Sequence, residues 1–155
     1  MGGPDKQQAT RLRMNRHLLA AALLAPFLLP LALPKPAAAI DLCHGGNRAE
    51  RKLTCIVDGD TGWQKGHKWR LVDIDAPEVS HPECENEKRL GKAATERLRS
   101  LMSKGYTLEG DGSKGRYQRD LVKVILSDGR DAGEVLIHEG LAQKWPNKGN
   151  TWCDR

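Results

Sequence analysis

Five carboxylates stand in two short stretches of this 155-residue chain: Asp58 and Asp60 in VDGDT, and Asp73, Asp75 and Glu78 in RLVDIDAPE, at the end of what otherwise reads as an apolar strand. Residues two apart on a strand point the same way. Asp73 is therefore expected to share a side with Asp75, and Asp58 with Asp60 if their strand stays regular that far. Carboxylates crowded in a partly buried site repel, and one of them takes up a proton unless positive charge is supplied. With oxygen donors and no converging His or Cys, the implied charge is a hard cation, Ca2+ first and Mg2+ as the alternative. DGDT by itself also suits a plain turn; it is the second acidic stretch and the nearby bases that point to a site.

Arg70 begins the strand that carries the second group of acids, and Arg119 follows a basic, glycine-rich loop holding Lys114 and Arg116. Two guanidinium groups beside metal-binding carboxylates suit phosphoryl transfer, in which charge builds on oxygens that Arg can bond bidentately. Tyr117 is a candidate platform for an unstacked base, and Trp145 is either a second platform or core packing for the tail.

These side chains need elements to place them. RKLTCIVDGD (51–60) and HKWRLVDIDAP (67–77) read as strands, the second with Trp69, Leu71, Asp73 and Asp75 on one side and Arg70, Val72 and Ile74 on the other. Pro77 ends it. From Asn86 to Ser103 the period changes, with Leu90, Ala93, Ala94, Leu98, Leu101 and Met102 on one helical stripe and Glu87 among the polar cover. Gly91 inside that helix costs about 1 kcal/mol against Ala and marks close approach to another backbone. YTLEGDG (106–112) and RDLVKVILSDG (119–129) are further strands, and DAGEVLIHEGLAQ (131–143) contains a short helix ending at Gly140. About five strands and two helices predict a mainly β, α+β domain: a small, partly open barrel with helices packed on it.

Residues 1–39 read as a secretory signal, with a basic head, an apolar run broken by Pro26 and Pro30, and Ala37-Ala38-Ala39 before the cut. The mature domain is then 40–155, in a periplasm or outside the cell, with no membrane association after cleavage. Lys6, Arg11, Arg13, Arg16 and Lys35 lie in that leader against Asp5 alone, so the formal net charge of +5 falls to +1 in the domain. The basic balance is thus no argument for a nucleic-acid partner, which must rest on local clusters such as Lys65, His67, Lys68 and Arg70 with Lys114, Arg116 and Arg119. Cys43, Cys55, Cys84 and Cys153 imply disulfides in an exported domain. Three pairings exist; Cys43–Cys55 and Cys84–Cys153 are favoured because the first pins the N-terminus to the first strand and the second ties down the tail. Zinc, drawing on His44 and His81 with these cysteines, is the weaker rival.

VDGDT, RLVDIDAPE, the helix with Leu90-Gly91, RYQRDLVKV and EGLA fall in the order and approximate spacing of the staphylococcal-nuclease-like (thermonuclease) family, which the chain resembles over nearly all of residues 53–145. The resemblance implies a five-stranded OB-fold barrel and a calcium-dependent nuclease cutting DNA and RNA to products ending in 3′-phosphate; a domain of this kind is expected to be a monomer. By position it makes Asp60 and Asp75 calcium ligands, Asp58 an outer partner of the ion, Glu78 the general base, and Arg70 and Arg119 the phosphate-binding pair. Gly115 and Gln118 stand where the family has Asp and Gly, so Gln118 is either strained or its turn re-shaped. Asp73 replaces an apolar residue. Few stacking groups on such a surface suggest a preference for single strands. The alternative is a non-catalytic OB module that binds oligonucleotide or protein; retention of all five catalytic and metal positions argues against it.

Overall fold

The computed structural model describes residues 40–153; the expected leader lies outside the described residues. Eight short strands and two helices follow in the order β1 (Asp41–Leu42), β2 (Cys55–Ile56), β3 (Thr61–Gln64), β4 (His67–Leu71), β5 (Ile74–Asp75), α1 (Glu85–Met102), β6 (Tyr106–Glu109), β7 (Asp120–Leu126), α2 (Ala132–His138) and β8 (Gln143–Lys144). Six strands form one sheet in the order β1-β2-β3-β4-β7-β6, and β5 pairs with β8 in a separate ladder. The β4–β7 and β1–β2 pairs are parallel, the others antiparallel. The mixed α+β class is as expected, but the strand count is not, and among the described residues no ladder joins β1 to β6 to close a barrel. The miscount has a plain cause: β1, β5 and β8 are two residues each, too short for alternation to show.

The β3–β4 hairpin turns on Lys65 and Gly66, at φ 50° and 85°. Two successive positive φ values match the right-handed twist of the flanking strands. The register this sets puts Trp69 and Leu71 into the core and leaves Arg70, between them, on the opposite face. The strand then breaks where continuity to Ala76 was expected. Val72 and Asp73 form a turn, with Asp73 at φ 63°, a left-handed conformation that Asp tolerates better than most residues. Asp73 is therefore exposed, and strand alternation no longer ties its side chain to that of Asp75. The first acidic stretch is also irregular: β2 stops at Ile56, and Asp58-Gly59-Asp60 is a bend. Gly59 is required there, since a Cβ would sit 2.7 Å from the Ala94 Cβ of α1 and 2.8 Å from that of Ala76.

Helix α1 buries Ala94, Leu98, Leu101 and Met102 as its pattern predicts, but Leu90 is only half-buried and Ala93 is exposed. Glu87, Gly91 and Thr95 complete the buried stripe instead. A Cβ on Gly91 would lie 2.7 Å from the Pro77 carbonyl oxygen and 2.9 Å from that of Glu78. The glycine thus marks the close approach expected of it, and the backbone it meets is the one that carries Glu78. Helix α2 ends as Gly140, at φ 71°, donates its N–H to the Ile137 carbonyl, the usual glycine stop. Both favoured disulfides are present, Cys43–Cys55 and Cys84–Cys153, and no cysteine is free, which leaves zinc without thiolate ligands.

Candidate active site

Strand β4 presents Arg70 beside two acids brought from different directions. Its Nη2 lies 2.9 Å from Oδ2 of Asp60, in the bend after β2, and 2.9 Å from Oδ1 of Asp75, on β5. These two carboxylate oxygens are therefore no farther apart than twice that distance. Asp60, 3% exposed, is fixed further: Thr61 Oγ1 donates to its Oδ1 at 2.7 Å and the Ala76 N–H to its Oδ2 at 3.2 Å. Asp58 turns inward and accepts the Asp60 N–H at 3.2 Å.

This crowding is electrostatically costly. Burial first, and then the charge of Asp58, push the Asp60 carboxyl up to about 7 against the pull of Arg70. Asp58 is raised chiefly by burial, with hydrogen bonds from Asp60 opposing and the charge of Glu78 adding. The Glu78 carboxyl is raised by its own partial burial and then by Asp60, with Arg70 opposing. A single guanidinium does not compensate this group of acids.

Arg119 arrives from the other side, in the loop between β6 and β7. A short 3-10 turn over Arg116–Gln118 precedes it, with Tyr117 at φ 61° and Gln118 at φ 58°. Gln118 thus adopts the left-handed conformation a glycine would take without strain, and the strain extends to Tyr117. Arg119 is held by a bond from Nε to the Arg116 carbonyl at 3.0 Å. Arg116 and Arg119 lie over the Tyr117 ring, 5.5 and 5.8 Å from its centroid. Burial and then the nearby charge of Arg70 lower the Arg119 pKa, while Asp60 and Asp58 oppose the change, so Arg119 shares the field of the acidic cluster.

Arg70, Asp73, Asp75, Arg116, Arg119 and Trp145 line one cavity of about 680 Å³. Trp145 is 55% exposed at its wall, so the core-packing alternative for this residue does not hold; Trp152, 4% exposed, is the tryptophan that buries the tail. Tyr117 stands 78% exposed beside the cavity. Lys114 is turned to Asp120, with which it forms an ion pair, and does not line the cavity.

Sequence patterns did not single out three residues near the site. Gln143, on β8, and Asn147, in the tail, both donate side-chain N–H groups to Oδ2 of Asp75, at 3.3 and 3.0 Å. Glu87 accepts the Glu78 N–H at 3.2 Å and the Glu83 N–H at 2.6 Å, so a buried carboxylate anchors both ends of the Glu78–Glu83 loop. In the sequence Glu87 belongs to the polar cover of its helix, and its burial at 3% exposed is a finding of the structure.

Among the described residues, no three His, Cys, Asp or Glu side chains converge as a ready-made cation cage. Arg70 takes the position between Asp60 and Asp75. The donor chemistry nonetheless fits a hard cation: all donors are carboxylate oxygens, two of them meet at one guanidinium nitrogen, and the cluster carries negative charge that burial makes expensive.

The family model described as Staphylococcal nuclease homologue matches residues 68–151. That range includes Arg70, Asp75, Glu78 and Arg119 and begins after Asp58 and Asp60, which are tied to the site by the bond from Arg70 to Asp60. Endonuclease YhcR of Bacillus subtilis (strain 168) is 34% identical over 106 residues, covering 59% of this chain and 9% of that protein, so the chain spans less than a tenth of the relative's length. Because the family match takes in more than half of its residues, the chain belongs to the staphylococcal nuclease homologue family.

Proposed function

We propose that the chain is an exported, monomeric, calcium-dependent nuclease that hydrolyses phosphodiester bonds of DNA and RNA, single strands preferred, and leaves 3′-phosphate ends. The observation that carries this reading is the shared cavity in which Arg70, Arg119 and Asp75 meet, with Arg70 bridging Asp75 to the buried Asp60. Family membership and the likeness to an endonuclease support nuclease chemistry. Two disulfides suit an oxidising compartment, and no helix of the described residues is long and apolar enough to cross a membrane. The scaffold is read as a partly open OB-type barrel of β2, β3, β4, β7 and β6.

In this mechanism a water oxygen attacks phosphorus as the bond to the 5′ oxygen breaks. The water proton goes to the Glu78 carboxylate, and the departing 5′ oxygen takes a proton from solvent. The raised pKa of Glu78 brings it closer to the pH at which a base must work. Arg70 and Arg119 bind the non-bridging oxygens and neutralise the charge that builds on them. Asp60 and Asp75 would hold calcium, with Asp58 behind them; the ion supplies positive charge to the phosphate and lowers the pKa of water. Trp145 and Tyr117 offer aromatic faces to unstacked bases, which favours single strands without sequence readout.

Digestion of single-stranded DNA with Ca2+ and with excess chelator, followed by analysis of product ends, tests the reading. Cutting only with calcium and 3′-phosphate ends are expected; undiminished cutting in chelator would refute the metal role.

A further inference from the structure

The C-terminal tail is built against the acidic site in a way the nuclease chemistry does not require. From β8 it crosses to the start of α1, and polar side chains fix it along the way. The Trp145 N–H donates to the Asp73 carbonyl at 2.8 Å, and Gln143 Nε2 donates both to Asp75 Oδ2 and, at 3.0 Å, to the Gly149 carbonyl. Asn147 donates Nδ2 to Asp75 Oδ2 while its Oδ1 accepts the Gly149 N–H at 2.9 Å, so the amide is locked at both ends. Beyond it, Asn150 donates to Glu83 at 3.2 Å, Asn86 donates to the Trp152 carbonyl at 2.7 Å, and Cys153 is bonded to Cys84 just before α1.

The two oxygens of Asp75 are consequently treated differently. Oδ2 accepts the amides of Gln143 and Asn147, and Oδ1 accepts from Arg70 Nη2, the same nitrogen that contacts Asp60 Oδ2. A lone aspartate at the end of a two-residue strand has free torsions; with Oδ2 pinned, Oδ1 is aimed at the side where the second carboxylate lies. Such outer hydrogen bonds commonly set the affinity of a ligand for its metal. Resting on the calcium reading above, we propose that Gln143 and Asn147 are positioning residues for Asp75, and that the Cys84–Cys153 disulfide is the clasp that keeps them in place. The tail is then part of the cation site, acting through Asp75 without touching substrate.

Calcium binding by the full chain, measured by titration calorimetry, tests this, with melting in chelator and the rate at saturating calcium recorded alongside. Asn147→Ala should weaken calcium binding about tenfold, while the melting temperature and the saturating rate change little. Cys84→Ser/Cys153→Ser should show the same weakening, and adding Asn147→Ala to it should weaken binding no further. Wild-type affinity in Asn147→Ala overturns the positioning role. Wild-type affinity in the double cysteine variant overturns the clasp; if that variant does not fold, Asn86→Ala with Asn150→Ala, which loosens the same end of the tail, decides it by the same readout, wild-type affinity again overturning the role of that anchor. If the wild-type chain binds no calcium, the calcium reading fails first and takes this inference with it.

Discussion

Replacing Gly91 by alanine sets two effects of opposite sign against each other. In an exposed helix interior the change gains about 1 kcal/mol of helix propensity. Here the new Cβ would lie 2.7 Å from the Pro77 carbonyl oxygen and 2.9 Å from that of Glu78. Carbon–oxygen contacts settle near 3.3–3.6 Å, so the loop or the helix must move by about half an ångström. Both neighbours are backbone and cannot swing aside. Overpacking of this kind costs about 1–3 kcal/mol, so the net change is expected to be destabilising by up to about 2 kcal/mol. With about 3–6 °C per kcal/mol for a domain of this size, between the ranges for smaller and larger domains, melting should fall by several degrees. Because the displaced backbone carries Glu78, turnover should fall more than tenfold, in keeping with the sensitivity of catalysis to misplacement on this scale. Thermal unfolding and single-turnover cutting of a defined oligonucleotide measure the two effects, with Ala93→Gly on the exposed face as the propensity control. A rise in melting temperature with full activity would show that the loop yields freely and that the glycine does not position Glu78.

Glu78→Gln should lower turnover by about 10²- to 10⁴-fold, the usual worth of a positioned base, and leave calcium affinity near wild type; full activity would remove Glu78 from that role. Trp145→Ala should weaken binding of a single-stranded oligonucleotide by about 1–3 kcal/mol at unchanged melting temperature, since the side chain is half-exposed; equal affinity would exclude it as a platform. In chelator, the Asp60 pKa of about 7 lies above its ordinary 3.8, so the folded chain holds more protons than the unfolded one between those values. Stability should therefore fall as pH rises from about 4 to about 7, relative to Asp60→Asn, and calcium should offset the loss. Matching pH profiles for wild type and Asp60→Asn in chelator would contradict this.

Much of the site was readable because its residues carry strong local signals. Arg70 sits between two apolar residues on a strand, and its side follows from alternation alone. Gly91 breaks an otherwise favourable helix, which exposes the need for close approach. The strand break at Asp73 was hidden because RLVDIDAP alternates acceptably straight through the turn, and only the pairing of β5 with β8 decides otherwise. Glu87 read as surface charge because its partners are backbone N–H groups, which leave no mark in a sequence. Asn147 was out of reach for a related reason: its contact with Asp75 spans 72 positions and depends on a tail with no periodicity. The cysteine pairing could be favoured, since each bridge ties an end of the domain, yet composition could not reveal that the second bridge fastens side chains to the acidic cluster.

The proposed nuclease chemistry requires Asp60 and Asp75 to share one cation, with Arg70 and Arg119 facing it. A crystal structure of the chain grown with calcium, with anomalous scattering to identify the ion, tests that most directly. An ion bonded to both carboxylates, with Arg70 withdrawn from at least one of them, is the predicted result. An unchanged Arg70 bridge, with calcium bound elsewhere or absent at concentrations that support cutting, would contradict it.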